Sequence, residues 1–400
     1  MPLVFGNRPS RTPPVDAFDG IELEIARRVD TLAPELEPLL RAIGANPELG
    51  FEEHFAAREI ARLLEAQGHA CTVGLAGMPT ALRASAGAGG PRVAVLAEYD
   101  ALPGLGHACG HNVIATIAVG AFLALAASVR EGTVELIGCP AEESAVDGAG
   151  GKVRLIADGV FDGVDCALMA HPYDRTMVAT HGSLAARGVD LLFTGRPTHA
   201  VASDDRGVNA LDAAVAAYVA IGRLTDQVPS DNRINGIIPE GGDSANVIPG
   251  HARLRYRLRA PTIAAVDELL DCVIDCARNV AIAAGCEFDT REYVPLYAPI
   301  EQDAELVAVA RDVMAGAGLE VEPDESSYSI SSSDFGNVTQ LTRAVEIGVQ
   351  LAERGVALHT PAFERAANGE RAIDVALAGA QVLAVTAWRG IFARAEALHG

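Results

Sequence analysis

The chain has 400 residues, of which 50% are hydrophobic and 5% aromatic, and its formal net charge at pH 7 is −22. This length allows a large buried core and favours two domains over one. So acidic a surface repels nucleic acids and anionic membranes, so we expect neither as a partner. The seven cysteines are odd in number and irregularly spaced, which argues against a disulfide framework.

Two segments bear on the cellular location of the chain. Residues Met1 to Val15 are polar and rich in proline, without the apolar core of a secretory signal. The uncharged segment Val113 to Val129 is shorter than the roughly 20 apolar residues that a membrane-spanning helix needs. We therefore predict that this segment is a helix buried in a core, and that the protein is cytoplasmic.

In chain order, the first predicted element is a helical region from Ile21 to Leu64, which is interrupted at Asn46-Pro47. Short apolar strands then alternate with helices, which predicts βαβ units and a mostly parallel sheet with helices on both faces. The strands are predicted at Arg92 to Ala97, Thr133 to Cys139 and Cys166 to Ala170, and the helices at Val113 to Val129 and Gly151 to Ala157.

The pattern changes near Leu184 into the order β-α-β-β-α-β, which is typical of a ferredoxin-like α+β domain. We predict this domain at residues 185–295, inserted into a first domain that comprises residues 1–184 and 296–400. After Pro295 strands and helices alternate again, ending in a helix from Ile373 to Ala387. The elements of the inserted domain are predicted at Gly188 to Thr194, Asn209 to Leu224, Asn232 to Pro239, His251 to Arg259, Ala264 to Ala284 and Glu287 to Tyr293.

Five side chains of metal-binding type follow the first predicted strand within 14 residues, namely Glu98, Asp100, His107, Cys109 and His111. In open α/β sheets, binding sites form at the carboxyl ends of the strands. Cys109 and His111 lie two residues apart on a glycine turn, so both can point at one ion. Each residue alone is more often structural, but the cluster predicts a metal site.

Three other predicted strand ends carry groups of the same kind. Glu142-Glu143 follows the strand at Thr133 to Cys139, His171 follows the next strand, and His359 follows an apolar run. Of two adjacent carboxylates, one can bind metal while the other takes a proton from water. A solvated acidic loop is the alternative for Glu142-Glu143, but four such strand ends in one sheet favour a metal site.

The predicted inserted domain carries polar groups that can reach a substrate. His199 and Asn246 are possible donors to a substrate oxygen. Four arginines alternate along one predicted strand and share a face, as residues 253, 255, 257 and 259. Arginine binds carboxylates through two parallel hydrogen bonds, so this face is a candidate clamp for a substrate carboxylate.

As a set, these motifs resemble one family, the dinuclear metallopeptidases and amidohydrolases of the M20 type. That family includes aminoacylase, carboxypeptidase G, the indole-acetyl-amino-acid hydrolases and p-aminobenzoyl-glutamate hydrolase. The amino-acid sequence around Glu98 and His107 most resembles that of p-aminobenzoyl-glutamate hydrolase and of the dipeptidase-like branch. The segments that carry the resemblance are Asn46–Glu53, Glu98–Pro103, His107–His111, Pro140–Glu143, His171-Pro172, Gly195–Ala200, Ala245–Pro249, Ser333–Gly336 and His359–Pro361.

The resemblance implies roles for individual residues. The implied metal ligands, one of which bridges two ions, are Cys109, His111, Glu143, His171 and His359. Glu142 resembles the general base, and Asp100 resembles a carboxylate that orients a ligand. His199 resembles a lid histidine that reaches the site of the other subunit in a homodimer formed through the inserted domain. Asn246 and Arg259 resemble substrate-binding groups of this lid.

The resemblance implies a metal-dependent amidohydrolase or peptidase with two divalent ions per subunit, Zn2+ or Mn2+. The expected substrate is a small N-acyl- or aryl-amino acid or a dipeptide, whose amide is hydrolysed by a metal-bridging water and a glutamate general base. Two other interpretations stay open. The same site could perform another C–N hydrolysis such as deamination of an aromatic amine, or the chain could be a metal-stabilised binding subunit without catalysis.

Overall fold

A computed structural model describes Phe18 and residues 20–179, 183–199, 206–322 and 331–395, so the segment Met1 to Val15 lies outside the described residues. Within these ranges the strands form two separate sheets. The strands are β1 (Cys71–Val73), β2 (Leu82–Ala88), β3 (Arg92–Ala97), β4 (Gly132–Gly138), β5 (Cys166–Tyr173), β6 (Ala185–Thr194), β7 (Arg233–Glu240), β8 (His251–Ala260), β9 (Glu287–Tyr297) and β10 (Arg343–Gln350). The helices are α1 (Gly20–Thr31), α2 (Ala33–Ala45), α3 (His54–Ala66), α4 (His111–Ser128), α5 (Gly151–Ala157), α6 (Ala210–Leu224), α7 (Ile263–Ala284), α8 (Ala304–Gly316), α9 (Phe335–Thr339), α10 (Pro361–Ala367) and α11 (Ala372–Ala387).

The first sheet has six strands in the order β1-β2-β4-β3-β5-β10. Strands β4, β3, β5 and β10 pair in parallel, while β2 and β1 are antiparallel additions at one edge. Strands β3 and β5 are apolar over most of their length and buried, as expected of strands that helices cover on both faces. The predicted mostly parallel sheet is confirmed, and β3 and α5 have the predicted bounds.

The edge strands β1 and β2 lie where the sequence pattern predicts no strand. Strand β2 is composed of Leu-Arg-Ala-Ser-Ala-Gly-Ala, and Ala and Gly are depleted in strands. Its pairing runs from Leu82 opposite Gly138 to Ala88 opposite Gly132. Tertiary pairing with β4 therefore determines this strand, and local propensity does not.

Two apolar helices, α4 and α11, pack against each other beside the six-stranded sheet. Helix α4 and the helical segment Ala372–Ala395, which begins with α11, are long and apolar enough to cross a membrane by length and composition, but 89% and 83% of their respective apolar windows are buried inside the fold. A helix that is apolar on all sides is expected in the core of a large domain. The prediction that the segment Val113 to Val129 is a buried helix is confirmed.

The second sheet is antiparallel, with four strands in the order β7-β8-β6-β9. Helices α6 and α7 pack on one face of this sheet and on each other. The side chains of Asn209 and Thr262 cap these helices by accepting hydrogen bonds from backbone amides of the first turn. The chain order β6-α6-β7-β8-α7-β9 is the predicted β-α-β-β-α-β arrangement. We call residues 185–297, which span this sheet and its two helices, the lid.

Strand β8 alternates between two environments. Its apolar residues Leu254 and Leu258 are buried in the core under α6 and α7, while the intervening arginines face the other side of the sheet. Strand β9 continues to Tyr297, two residues beyond the predicted end of the inserted domain. The domain boundaries themselves stay a prediction.

Candidate metal centre

The parallel strands bring the predicted site residues to one edge of the six-stranded sheet. Glu98 and Asp100 follow β3, Glu142 and Glu143 follow β4, and His171 lies in the last part of β5. Helix α4 begins at His111, which the sequence analysis predicts to be a metal ligand. His359 lies in the segment between β10 and α10. Carboxyl ends of parallel strands meet at the same edge of a sheet, which is why residues distant in sequence converge here.

His111 is oriented by a buried carboxylate. Its Nδ1 lies 2.9 Å from Asp100 Oδ1, and the other oxygen of Asp100 accepts a hydrogen bond of 2.9 Å from the backbone N–H of Glu143. Burial by itself raises the pKa of Asp100, but the charge of His111 outweighs it and lowers this pKa. Asp100 therefore accepts the Nδ1 proton, which leaves the opposite nitrogen of the ring as the one that can bind an ion.

That opposite nitrogen, His111 Nε2, is buried and has no hydrogen-bond partner among the described residues. Buried polar atoms are nearly always paired in native proteins, so an orphaned imidazole nitrogen requires an explanation. An ion bound at Nε2 supplies one, because a metal-binding histidine usually donates its other N–H to a carboxylate. The arrangement of His111 and Asp100 fits a metal ligand and its supporting group.

The five residues that the resemblance implies as ligands come together as two donor groups. The ligand atoms of Cys109, His111 and His171 lie within 4.8 Å of one another, and so do those of Cys109, Glu143 and His359. Cys109 Sγ lies 3.5 Å from His171 Nε2, and His359 Nε2 lies 3.2 Å from Glu143 Oε1. Cys109 belongs to both groups, so this donor set fits two adjacent ions that share the thiolate.

His171 has the protonation state that metal binding needs. Burial lowers the pKa of His171 to about 4, so its ring is neutral at pH 7. Its Nδ1 lies 2.9 Å from the carbonyl oxygen of Pro172 and donates its proton there. The second nitrogen, Nε2, then faces Cys109 with a free lone pair.

Glu142 borders the same centre from the loop after β4. Its Oε2 lies 4.0 Å from His111 Nε2, and its backbone carbonyl accepts a hydrogen bond of 2.9 Å from the Tyr297 hydroxyl of the lid. Burial, and then the neighbouring carboxylates of Glu98 and Glu143, hold the pKa of Glu142 well above its usual value. A carboxylate with a raised pKa beside a metal site suits a group that accepts and returns a proton.

Two residues of the site have left-handed backbone conformations although they are not glycine. Ala141 has a φ of 54° and His359 a φ of 60°. Such conformations cost about 1–3 kcal/mol and persist where surrounding contacts enforce them. The N–H of Ala141 donates to Glu53 Oε1 at 2.8 Å, and the N–H of His359 donates to the carbonyl of Ala108 at 2.9 Å. Glu53 thus holds the loop that carries Glu142, a role that the sequence pattern does not predict.

A cavity of about 480 Å³ opens over the centre. Its lining includes the metal-site residues and the predicted substrate-binding residue Arg259, which reaches it from the lid. Arg259 donates to the hydroxyl of Ser332 at 3.3 Å. The structure therefore places a cation at the cavity, where a substrate carboxylate can pair with it. The site residues in the lining are Cys109, Glu142, Glu143, His171, His359 and Arg259.

The other two predicted lid residues lie elsewhere. His199 pairs with Val247 in an isolated antiparallel bridge, and Ile248 N donates to the carbonyl of Thr198 at 2.8 Å. His199 and Asn246 are thereby neighbours on exposed segments of the lid. Neither belongs to the described residues that line the cavity of their own chain.

Comparison with known proteins agrees with this geometry. A family model described as peptidase family M20/M25/M40 matches residues 94–387. The chain belongs to this family. The M20-type resemblance is thus confirmed, and the chain is a hydrolase that acts on C–N bonds.

Two relatives illustrate what the chain is similar to. It is 36% identical to Xaa-Arg dipeptidase of Mus musculus over 385 residues, which are 92% of this chain and 88% of the relative. It is 34% identical to a p-aminobenzoyl-glutamate hydrolase polypeptide of Escherichia coli K12 over 270 residues, which are 61% of this chain and 55% of that polypeptide. One of these relatives is thus a dipeptidase, and the other belongs to a hydrolase of a different small amide.

Solved structures share the fold. The aminobenzoyl-glutamate utilization protein of Klebsiella pneumoniae superposes with a TM-score of 0.72 at 20% identity, over 92% of this chain and 100% of that one. The YxeP protein of Bacillus subtilis, described as a dinuclear metal-binding peptidase of the M20 family, superposes with a TM-score of 0.62 at 21% identity, over 88% and 99% of the two chains. At these identities the likeness shows the fold.

Proposed function

We propose that this chain is a cytoplasmic amidohydrolase with two metal ions, which cleaves the amide bond of a small N-acyl- or aryl-amino acid or of a dipeptide. The observation that carries this proposal is the pair of donor groups that share Cys109, with Glu142 beside them in one cavity. A metal-stabilised binding subunit has no need of an unligated carboxylate at that position.

The donor set fits ions that bind sulfur, nitrogen and oxygen together. Cys109, His111 and His171 would hold one ion, and Cys109, Glu143 and His359 would hold the other. Thiolate and imidazole favour Zn2+, whereas carboxylate ligands also suit Mn2+. When bound, such ions lower the pKa of water and polarise a carbonyl oxygen.

The residues of the chain supply the proton transfers and the orientation. Glu142 takes the proton of the attacking water and then delivers it to the leaving amine. The Tyr297 hydroxyl fixes the backbone of Glu142, because it donates to the carbonyl of that residue. Arg259 binds a carboxylate on the amine side of the substrate, and so holds the amide over the centre.

We further propose that the protein is a homodimer formed through the lid. Apolar side chains are exposed on the outer face of α6, at Val215 and Val219, and on the edge strand β7, at Ile237 and Ile238. An edge strand with exposed apolar residues is a template for pairing with a second chain. In such a dimer His199 and its neighbour Asn246 would reach the cavity of the other subunit, and His199 would donate to the developing oxyanion.

The cytoplasmic assignment rests on the cysteines. All seven lie in the described residues and none is paired in a disulfide. Cys109 in particular would be a thiolate ligand, which oxidation would destroy. A reducing compartment protects such a centre.

A turnover screen tests the proposed function. N-acyl-amino acids, aryl-glutamates, dipeptides and an aromatic amine are incubated with the apo-protein reloaded with Zn2+ or with Mn2+, and free amino acid and free ammonia are measured separately. Release of an amino acid from an amide supports the proposal. Release of ammonia from an aromatic amine would show a deaminase instead, and two bound ions without turnover on any substrate would favour a binding subunit.

A further inference from the structure

A lysine is buried completely beside the metal centre. Lys152 in α5 is 0% exposed, and its Nζ lies 2.5 Å from Glu98 Oε1 and 2.5 Å from Asp334 Oδ1. Its backbone N–H also donates to the second oxygen of Asp334 at 2.9 Å. Three separate segments, the loop after β3, the start of α5 and the residue before α9, thus meet at one ammonium group.

This ammonium group keeps its charge. Burial lowers the pKa of Lys152, but the charges of Asp334 and Glu98 outweigh that effect and raise the pKa well above its usual value. A buried charge needs partners with good geometry, and two carboxylates at hydrogen-bond distance provide them. Lys152 is therefore a fixed cation that holds both carboxylates in place.

The contact with Lys152 leaves one oxygen of Glu98 for another partner. While Oε1 pairs with Lys152, Oε2 lies 3.6 Å from His111 Nε2, the buried nitrogen that lacks a hydrogen-bond partner among the described residues. Two ligands with bonds of about 2.1 Å to one tetrahedral ion are separated by roughly 3.4 Å. The two atoms therefore stand at the separation expected of ligands to one ion.

We propose that Glu98 is a further metal ligand, bound through Oε2 to the ion held by His111, and that Lys152 and Asp334 position it. This inference rests on the proposed metal centre. The donor atoms of Glu98, His111 and Glu142 lie within 4.8 Å of one another. Because Lys152 occupies the other oxygen, Glu98 binds through one atom. Glu142, on the cavity side, stays available for proton transfer.

Metal binding of the full-length protein tests this assignment without turnover. Apo-protein prepared with a chelator is titrated with Zn2+ by calorimetry, metal content is determined by mass spectrometry, and the visible spectrum of the Co2+ form reports the coordination number. The variants are Glu98→Gln, which keeps the shape of the side chain, and Lys152→Met. Arg154→Met is the matched control, because Arg154 is an exposed cation on the same helix.

The expected result is a selective loss. Glu98→Gln lowers the affinity for one of the two ions by at least about tenfold and changes the Co2+ spectrum. Lys152→Met has the same effects, because a group that orients a ligand contributes about 10–100-fold to metal affinity. Arg154→Met behaves as the wild type. Unchanged affinities and an unchanged Co2+ spectrum in Glu98→Gln would overturn the ligand role. A wild-type protein that binds no ion would overturn the proposed function itself.

Lys152→Met leaves two buried carboxylates without their cation and can therefore destabilise the fold. The double variant Lys152→Met/Asp334→Asn removes one charge of each sign, and circular dichroism with thermal unfolding of the apo-protein checks that it is folded. If this folded double variant shows weakened binding of one ion, the joint positioning role of Lys152 and Asp334 is supported. Wild-type affinity for both ions in the folded double variant would overturn that role.

Discussion

Each sheet of the molecule has a cluster of buried charge, and the two clusters differ in how completely the group at the centre of each is paired. On the lid, Asp190 is 0% exposed and accepts hydrogen bonds from three arginines, at positions 253, 255 and 291. We call these four residues the lid cluster. Burial raises the pKa of Asp190, but the hydrogen bonds from Arg255 and Arg291 outweigh it and lower the pKa to about 2. At the edge of the six-stranded sheet, His111 Nε2 has no partner in the described part of the chain.

This difference in pairing distinguishes charged groups that stabilise the fold from charged groups that can bind a ligand. A buried carboxylate whose two oxygens both accept hydrogen bonds, as those of Asp190 do, stabilises one conformation and offers nothing to a ligand. A buried nitrogen without a partner beside several close carboxylates is instead a place where an ion can bind. The two clusters meet at Asp147, which pairs with Arg255 and Arg291 and lies four residues after Glu143. The lid cluster thus anchors the loop that carries the glutamates of the metal centre.

The largest expected effect is on turnover. Glu142→Gln removes the proton acceptor and should lower kcat by about 10²–10⁴-fold, while the number of bound ions stays at the wild-type value. Steady-state kinetics and metal analysis of the same preparation measure both. Glu287→Gln, at an exposed position of β9, is the matched control. A Glu142→Gln enzyme with nearly full activity would remove Glu142 from the mechanism.

For the lid cluster we expect a loss of stability without a loss of bound metal. Asp190→Asn removes the buried carboxylate that these arginines share and should lower the free energy of unfolding by about 1–3 kcal/mol. Denaturant unfolding of the apo-protein measures this loss, and metal content should stay unchanged. If Asp190→Asn released metal and kept its stability, the proposed division between the clusters would be wrong.

His199→Ala tests whether the lid contributes to catalysis. Loss of one donor to the oxyanion should lower turnover by about 10²–10³-fold without loss of metal. Mixing His199→Ala chains with Glu142→Gln chains should restore part of the activity, because a mixed dimer has one site with both residues intact. No recovery in verified mixed dimers would show that His199 does not act across the interface.

A smaller, pH-dependent effect is expected at Glu53. Burial, and then the charge of Asp100, raises the pKa of Glu53 to about 7. Between pH 4.5 and 7 the unfolded chain has lost this proton and the folded chain keeps it, so stability falls as pH rises through this window. Glu53→Gln removes this dependence of the free energy of unfolding on pH. The change that it removes amounts to about 3 kcal/mol at most across this window.

Thermal unfolding at a series of pH values measures the Glu53 effect. The Tm of Glu53→Gln should rise relative to that of the wild type as pH increases from 4.5 to 7. Parallel Tm curves across this range would show that Glu53 does not titrate there. Glu52→Gln, whose side chain is exposed beside it, is the control.

Much of the centre is predictable because its chemistry is local in sequence. Short apolar runs predict the parallel strands, and the polar residues directly after them are brought to one edge by the geometry of the sheet. The turn Cys109-Gly-His111 and the pair Glu142-Glu143 can therefore be assigned to one centre from the order of residues alone. Their individual roles were implied by the resemblance and stay proposals.

What the sequence does not predict depends on contacts between distant segments. Lys152 is a single lysine in a short helix, and its two partners lie 54 and 182 residues away. The bond from Ala141 to Glu53 spans 88 residues. Strand β2 is rich in Ala and Gly and is determined by its pairing with β4. Such contacts have no periodicity or spacing that a pattern could indicate.

The number of metal ions bound per chain decides whether the cluster around His111 is a dinuclear centre. Mass spectrometry on wild type, Cys109→Ala and Asp190→Asn, each dialysed against excess Zn2+ and then desalted, gives that number. We predict two ions for the wild type and for Asp190→Asn, and a loss of both in Cys109→Ala, because the two donor groups share its sulfur. A wild-type chain without bound ions, or a Cys109→Ala chain that keeps two, would show that the two donor groups do not form a dinuclear centre around Cys109.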